Sequence, residues 1–210
     1  MEAAANGERG CWRCGAETAG ALACPRCEAI QRLDRDVDLF AVLGLPRRLL
    51  VDPVVLERRY HDASRIVHPD RHQTASPEER ELSLAASTAV NRAYRTLQDP
   101  VARARYWLEL HGERLAEDGA RVPPEIAAEV FETQERLAEL RAAGPGADAL
   151  RAELRDVRDR LASRLGALRG ELEERFEDGE GPPLDELRRR LATIAYLKTL
   201  HGDVDGAVGD

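Results

Sequence analysis

The stretch Tyr60-His61-Asp62-Ala63-Ser64-Arg65-Ile66-Val67-His68-Pro69-Asp70, followed by Ser76-Pro77-Glu78-Glu79, marks where one helix must stop and the next must start. Proline disfavours the helical conformation in the residue before it, so a helix carrying Leu56, Tyr60, Ala63 and Val67 on one face ends near His68. It opens at Asp52-Pro53, an N-cap followed by proline at the first helical position. Ser76 and Glu79 read as a capping box around Pro77, and Leu82, Ala86, Ala89, Ala93 and Leu97 then share one helical face. Upstream, Leu39, Phe40, Val42 and Leu43 make a short apolar helix that Gly44 and Pro46 end. Downstream, Asp99-Pro100 starts a fourth helix through Ala104, Trp107, Leu108 and His111, closed by Gly112.

Beyond a polar linker the helical pattern resumes. Val122-Pro123-Pro124 opens a helix with Val130, Phe131, Leu137 and Leu140 as its apolar positions, and Gly144-Pro145-Gly146 breaks it. Leu150, Leu154, Val157, Leu161, Leu165, Leu168, Leu172 and Phe176 then recur at spacings of three or four. Gly166 and Gly170 weigh against an unbroken helix there, since each costs about 1 kcal/mol relative to alanine. After a break from Gly179 to Pro183, Leu184, Leu187, Leu191, Ile194 and Leu197 form a last helix, and three amphipathic helices joined this way read as an antiparallel bundle rather than one extended coiled coil.

The expected fold is therefore all-α, in three parts: a cysteine module at 1–36, four helices over 37–112 and a three-helix bundle over 113–210. Composition agrees, with 43% apolar, 33% charged and only 4% aromatic residues among 210. Charge is uneven. Residues 113–210 hold 23 acids against 15 bases and so carry the whole net charge of −8, whereas 1–36 and 37–112 are nearly neutral. That argues against a nucleic-acid footprint and suits a basic partner for the C-terminal part. No apolar run approaches the roughly 20 residues of a membrane span, and Met1 to Gly10 has no basic or apolar leader character. A cytoplasmic protein without membrane attachment is expected.

All four cysteines lie in the first part. Cys11-x-x-Cys14 and Cys24-x-x-Cys27 are separated by nine residues, a spacing that suits tetrahedral Zn²⁺ held by four thiolates at about 2.3 Å. Gly15 supplies the tight turn after the first pair. A rubredoxin-like iron site, two disulfides or a redox dithiol are the alternatives, with disulfides disfavoured in an unexported protein.

His68, Asp70 and His72 alternate and, taken alone, could ligate a catalytic metal, but His61, His111 and His201 supply no clustered partners in sequence. The surrounding order is a short helix, a basic helix with Arg58, Arg59 and Arg65, a His-Pro-Asp loop and a long capped helix. It resembles the J domain of co-chaperones that stimulate DnaK-type ATPases. The resemblance implies that His68, Pro69 and Asp70 engage the chaperone while the arginines of the basic helix dock on an acidic surface. An ordinary solvated helix face is the alternative for Arg58, Arg59 and Arg65.

A narrower resemblance follows from Leu43-Gly44-Leu45-Pro46, Asn91-Arg92-Ala93-Tyr94-Arg95-Thr96-Leu97, Pro100, Arg103-Ala104 and Leu110-His111-Gly112, which look like the HscB family of iron–sulfur cluster biogenesis. It covers about Asp38 to Gly112 and continues more weakly to the end. The segment Cys11-Trp12-Arg13-Cys14-Gly15 with Cys24-Pro25-Arg26-Cys27 is similar to the tetracysteine extension of some HscB proteins. This implies a co-chaperone with no chemistry of its own, partnered by an HscA-like chaperone and by the scaffold protein IscU. The family's scaffold-facing surface falls on Phe131, Glu132, Glu135 and Glu139, with Tyr196 at an aromatic position on the last helix. Ala127 and Ala128 stand where the family usually has larger apolar residues. Phe131 and Tyr196 fit a bundle core equally well by spacing. A J-domain protein serving a general DnaK chaperone with another client is the alternative function.

Overall fold

The computed structural model describes residues 10–113, 122–143, 146–176 and 183–209. Two compact units divide the chain, Met1–Arg103 and Ala104–Asp210. The linker after Glu113, the Gly144-Pro145 step and most of the Gly179 to Pro183 break lie outside the described residues.

In the first unit, α1 (Leu39–Val42) is capped by Asp38, whose side chain accepts from Phe40 N–H, and buries Leu39, Phe40 and Val42. Gly44 follows with a positive φ of 60°, the left-handed turn that ends so short a helix. Helix α2 (Pro53–Val67) starts where Asp52 accepts from the N–H groups of Val54 and Val55, and it buries Leu56, Ala63 and Val67. A 3-10 turn, Pro69–His72, leads to α3 (Pro77–Gln98), whose first turn is capped by the Ser76 hydroxyl on Glu79 N–H. Helices α2 and α3 form a hairpin. Tyr60 stacks on Tyr94 at 4.2 Å between centroids, and the Tyr60 hydroxyl donates to Asn91 Oδ1 at 3.0 Å. Each registers the α2 face against α3, with Ala86, Val90, Ala93 and Leu97 beneath.

Helix α4 (Pro100–Leu110) begins with the Ala102 N–H donating to Asp99 Oδ1 at 2.8 Å. It ends at Gly112, φ 75°, with the Glu113 N–H returning to the Leu108 carbonyl at 2.9 Å.

In the second unit a 3-10 turn, Pro124–Ile126, precedes α5 (Ala127–Ala143), so the α-helix itself starts later than Pro123-Pro124 suggests. Helix α6 (Asp148–Glu174) is continuous through Gly166 and Gly170, and α7 (Leu184–Val208) through Gly202 and Gly206. Burial offsets the glycine cost in α6: Leu154, Val157, Leu161 and Leu172 all face the core. Ile126, Leu137, Leu140, Leu154, Val157, Leu161, Leu197, Leu200 and Val204 make one apolar cluster from all three helices and the turn before them. Among the described residues the only extended pairings are two isolated bridges in the cysteine module, so the all-α reading holds.

Candidate functional site

The loop between α2 and α3 is built by the loss of ordinary helix-ending donors. Pro69 has no N–H, and His68 is extended at φ −60° and ψ 125°, so the last carbonyls of α2 need partners from elsewhere. Three side chains supply them. Arg71 Nη1 donates to the Arg65 carbonyl at 3.1 Å, His72 Nε2 meets the Ile66 carbonyl at 3.1 Å, and buried Ser83 Oγ donates to the Val67 carbonyl at 2.8 Å. His72 is thereby a cap on α2. The metal alternative for His68, Asp70 and His72 has no geometric support, because among the described residues only the cysteines gather closely enough to share an ion.

The signature residues stay outward. His68 Nδ1 accepts from Asp70 N–H at 3.3 Å and lies 3.7 Å from Asp70 Oδ2. Gln73 Nε2 donates to Asp70 Oδ1 at 3.2 Å, fixing the carboxylate while its side chain remains 74% exposed. A cleft of about 330 Å³ beside it is lined by His61, Ser64, Arg65, His68 and Arg71. Arg58 is exposed on the same side of α2 as Arg65, seven residues or nearly two whole turns away. Arg65 also pairs with Asp62, and Arg59 leans toward Gly44, so the three arginines do not share one environment.

The cysteine module consists of two near-identical half-sites. In the first, Gly15 N–H donates to the Cys11 carbonyl at 2.8 Å, Arg13 N–H points at Cys11 Sγ at 3.4 Å, and Cys11 N–H returns to the Ala16 carbonyl. In the second, Glu28 N–H donates to the Cys24 carbonyl at 2.9 Å, Arg26 N–H points at Cys24 Sγ at 3.4 Å, and Cys24 N–H returns to the Ala29 carbonyl. Gly15 and Glu28 occupy equivalent left-handed positions, φ 72° and 59°. Trp12 Nε1 bonds the Ile30 carbonyl at 2.7 Å and ties the halves together.

All four sulfurs lie within 4.8 Å of one another. Burial opposes ionisation of Cys11, but N–H groups of Cys14 and Arg13, the Gln31 amide and the Cys27 thiol outweigh it and hold the group down to about 6. Cys24 lies below its ordinary value on the same balance: burial against the N–H groups of Cys27 and Arg26 and the Cys14 thiol. Cys27 is favoured as thiolate by Ala29 N–H, yet burial and hydrogens shared with Cys14, Cys11 and Cys24 push it up to about 12. Four converging sulfurs, two of them already biased toward thiolate and cradled by N–H groups, fit a metal ion. Gln31 is a contributor that no spacing rule singled out, since its amide reaches Cys11 Sγ at 3.4 Å.

On α5, Ala128, Phe131, Glu132, Glu135 and Glu139 recur at helical spacing along one exposed stripe. Phe131 is 64% exposed and so is not core. Tyr196 on α7 is half-buried and packs against the bundle cluster.

No protein-family model matches the chain. Over 178 residues it is 34% identical to the "Co-chaperone protein HscB homolog" of Aromatoleum aromaticum, covering 84% of this chain and 96% of that protein. It is 36% identical over 130 residues to the "Iron-sulfur cluster co-chaperone protein HscB homolog" of Arabidopsis thaliana, the match spanning 62% of this chain and 51% of the relative. Among solved structures, that of human co-chaperone protein HscB superposes with a TM-score of 0.71 at 27% identity, covering 93% of this chain and 96% of the human one.

Proposed function

The chain belongs to the HscB co-chaperone family, and on that premise we propose that it stimulates the ATPase of an HscA-like, DnaK-type chaperone and delivers the iron–sulfur scaffold protein IscU to it for cluster transfer. The observation that carries this reading is the exposed His68-Pro69-Asp70 turn, held rigid at the end of a basic helix. A carboxylate already oriented by Gln73 loses little freedom when it meets an arginine of the chaperone, and such a bond is charge-assisted. His61 and Arg65 line the cleft beside it, and Arg58 continues the exposed basic face of α2, which speeds encounter with an acidic surface. Residues 37–112 thus act as the chaperone-contacting part.

The acidic part, 113–210, takes the scaffold. Phe131 is an aromatic anchor in water, flanked by Glu132, Glu135 and Glu139, the mixed chemistry of an interface hot spot with a charged rim. Ala127 and Ala128 provide less apolar contact than larger residues there, a loss of about 1 to 3 kcal/mol. Tyr196 contributes through whatever edge of its ring the core leaves uncovered. Residues 1–36 hold one Zn²⁺ through Cys11, Cys14, Cys24 and Cys27, and with four protein thiolates the ion has no open position for catalysis.

The test is chaperone ATPase turnover with and without IscU. Wild type is expected to stimulate, and Asp70→Asn to abolish stimulation while changing stability by less than about 0.5 kcal/mol, because the side chain is exposed. Stimulation that survived Asp70→Asn would overturn the loop assignment. Stimulation without IscU binding would leave a co-chaperone with a different client, and IscU binding indifferent to Phe131→Ala combined with Glu135→Ala would move the scaffold surface off the α5 stripe.

A further inference from the structure

A short path of contacts runs from the cysteine module to the signature loop. Arg13 sits inside the first half-site, between Cys11 and Cys14, with its backbone held by the Cys11 sulfur. Its guanidinium reaches Glu79 at 3.5 Å, and Glu79 is only 8% exposed in the first turn of α3. Arg32, just beyond the second half-site, pairs with Glu78 in the same turn. That turn begins where the loop ends: Ser76 Oγ accepts from Glu79 N–H at 3.2 Å, and Ala75 N–H closes the loop on the His72 carbonyl at 3.0 Å. Gln73, within the loop, holds Asp70.

We propose that the metal-loaded cysteine module positions the His-Pro-Asp loop, with Arg13 and Arg32 as the positioning residues that grip Glu79 and Glu78 at the start of α3. The functional weight of this rests on the reading of the loop as the chaperone contact; the physical coupling does not. Without a cation, the four sulfurs gathered within 4.8 Å lose the common bonds that join the two half-sites, the half-sites loosen, and the backbone that aims Arg13 loses its anchor. A single exposed ion pair shifts a local equilibrium about fivefold at most. Two on one helical turn, one of them to a carboxylate nearly out of water, are expected to shift it about three- to tenfold together.

The experiment is amide hydrogen exchange on the full chain, Zn²⁺-loaded and after stripping with a chelator. In wild type, stripping is expected to speed exchange throughout 11–31, to speed it about three- to tenfold at 73–83, and to leave 150–172 unchanged. In the Arg13→Ala, Arg32→Ala double variant, exchange at 73–83 is already fast with zinc bound and stripping adds nothing. The exchanged pair Arg13→Glu with Glu79→Arg should restore the wild-type zinc response at 73–83, which a merely structural role for either residue would not do. Unchanged exchange at 73–83 in stripped wild type, a response that survives the double variant, or no rescue by the exchanged pair would each overturn the proposal. Chaperone stimulation measured alongside separates the two readings: coupling without any stimulation in wild type sinks the proposed function and leaves the coupling standing.

Discussion

Ser83 is a small polar residue with 0% of its surface exposed, and its only described task is to satisfy the Val67 carbonyl at the end of α2. Ser83→Ala keeps the volume close and removes the donor, so a buried acceptor is left unmade at a cost of about 1 to 3 kcal/mol. Urea midpoints of wild type and variant measure it, and equal midpoints would mean that water or a backbone shift replaces the hydroxyl. No property of the sequence marks Ser83, because the apolar pattern of α3 runs through Leu82 and Ala86 beside it and serine is an ordinary surface residue of helices. Arg71 and Gln73 are silent for the same reason, and His72 reads in the sequence only as a metal candidate: the capping and holding roles of all three exist only once the chain has turned at Pro69. Pro69 itself was readable because a missing N–H and a restricted neighbour are local properties. Phe131 was ambiguous on spacing, since a residue at the margin of a helical face fits core and surface alike, and only the packed bundle decides.

At the scale of elements, caps and breaks carried most of the information. Asp52, Ser76 and Asp99 each bond the N–H groups their positions imply, and Asp38 caps α1 although no sequence signal singled it out. The continuity of α6 was less legible, since propensity counts its two glycines and cannot count Leu172 buried beyond them. The turn before α5 shows an inter-element bond that periodicity does not announce. Glu125 is bonded by its own backbone N–H and by the buried Thr193 hydroxyl on α7, at 2.9 Å, which holds its carboxyl below the usual 4.5. A folded pKa below the unfolded one favours the folded state above about 4.5, and the contribution is lost as pH falls through the folded value. Denaturant midpoints of wild type and Glu125→Gln should therefore be separated at pH 7, wild type the more stable, and should converge in strong acid. A constant separation at both pH values would assign the difference to packing instead.

The whole molecule divides into two compact units, and the cluster built from Ile126, Leu137, Leu154, Leu161, Leu197 and Val204 lies entirely within the second. Calorimetry of the full chain should resolve two transitions, and chelation should lower the one belonging to 1–103 while leaving that of 104–210 in place. A single transition, or equal shifts in both, would refute independent unfolding. The all-α class was legible from periodicity alone, whereas the division at Arg103 was not, because it falls inside α4, where no proline or glycine marks it. Separate cores have a bearing on descent. Substitutions in distant positions that share no partners add rather than compensate, so drift inside the cluster of the second unit is answered inside that cluster. On the proposed function, the stripe on α5 can then follow a changing client over many generations while the turn at His68-Pro69-Asp70 is held still by its own neighbours.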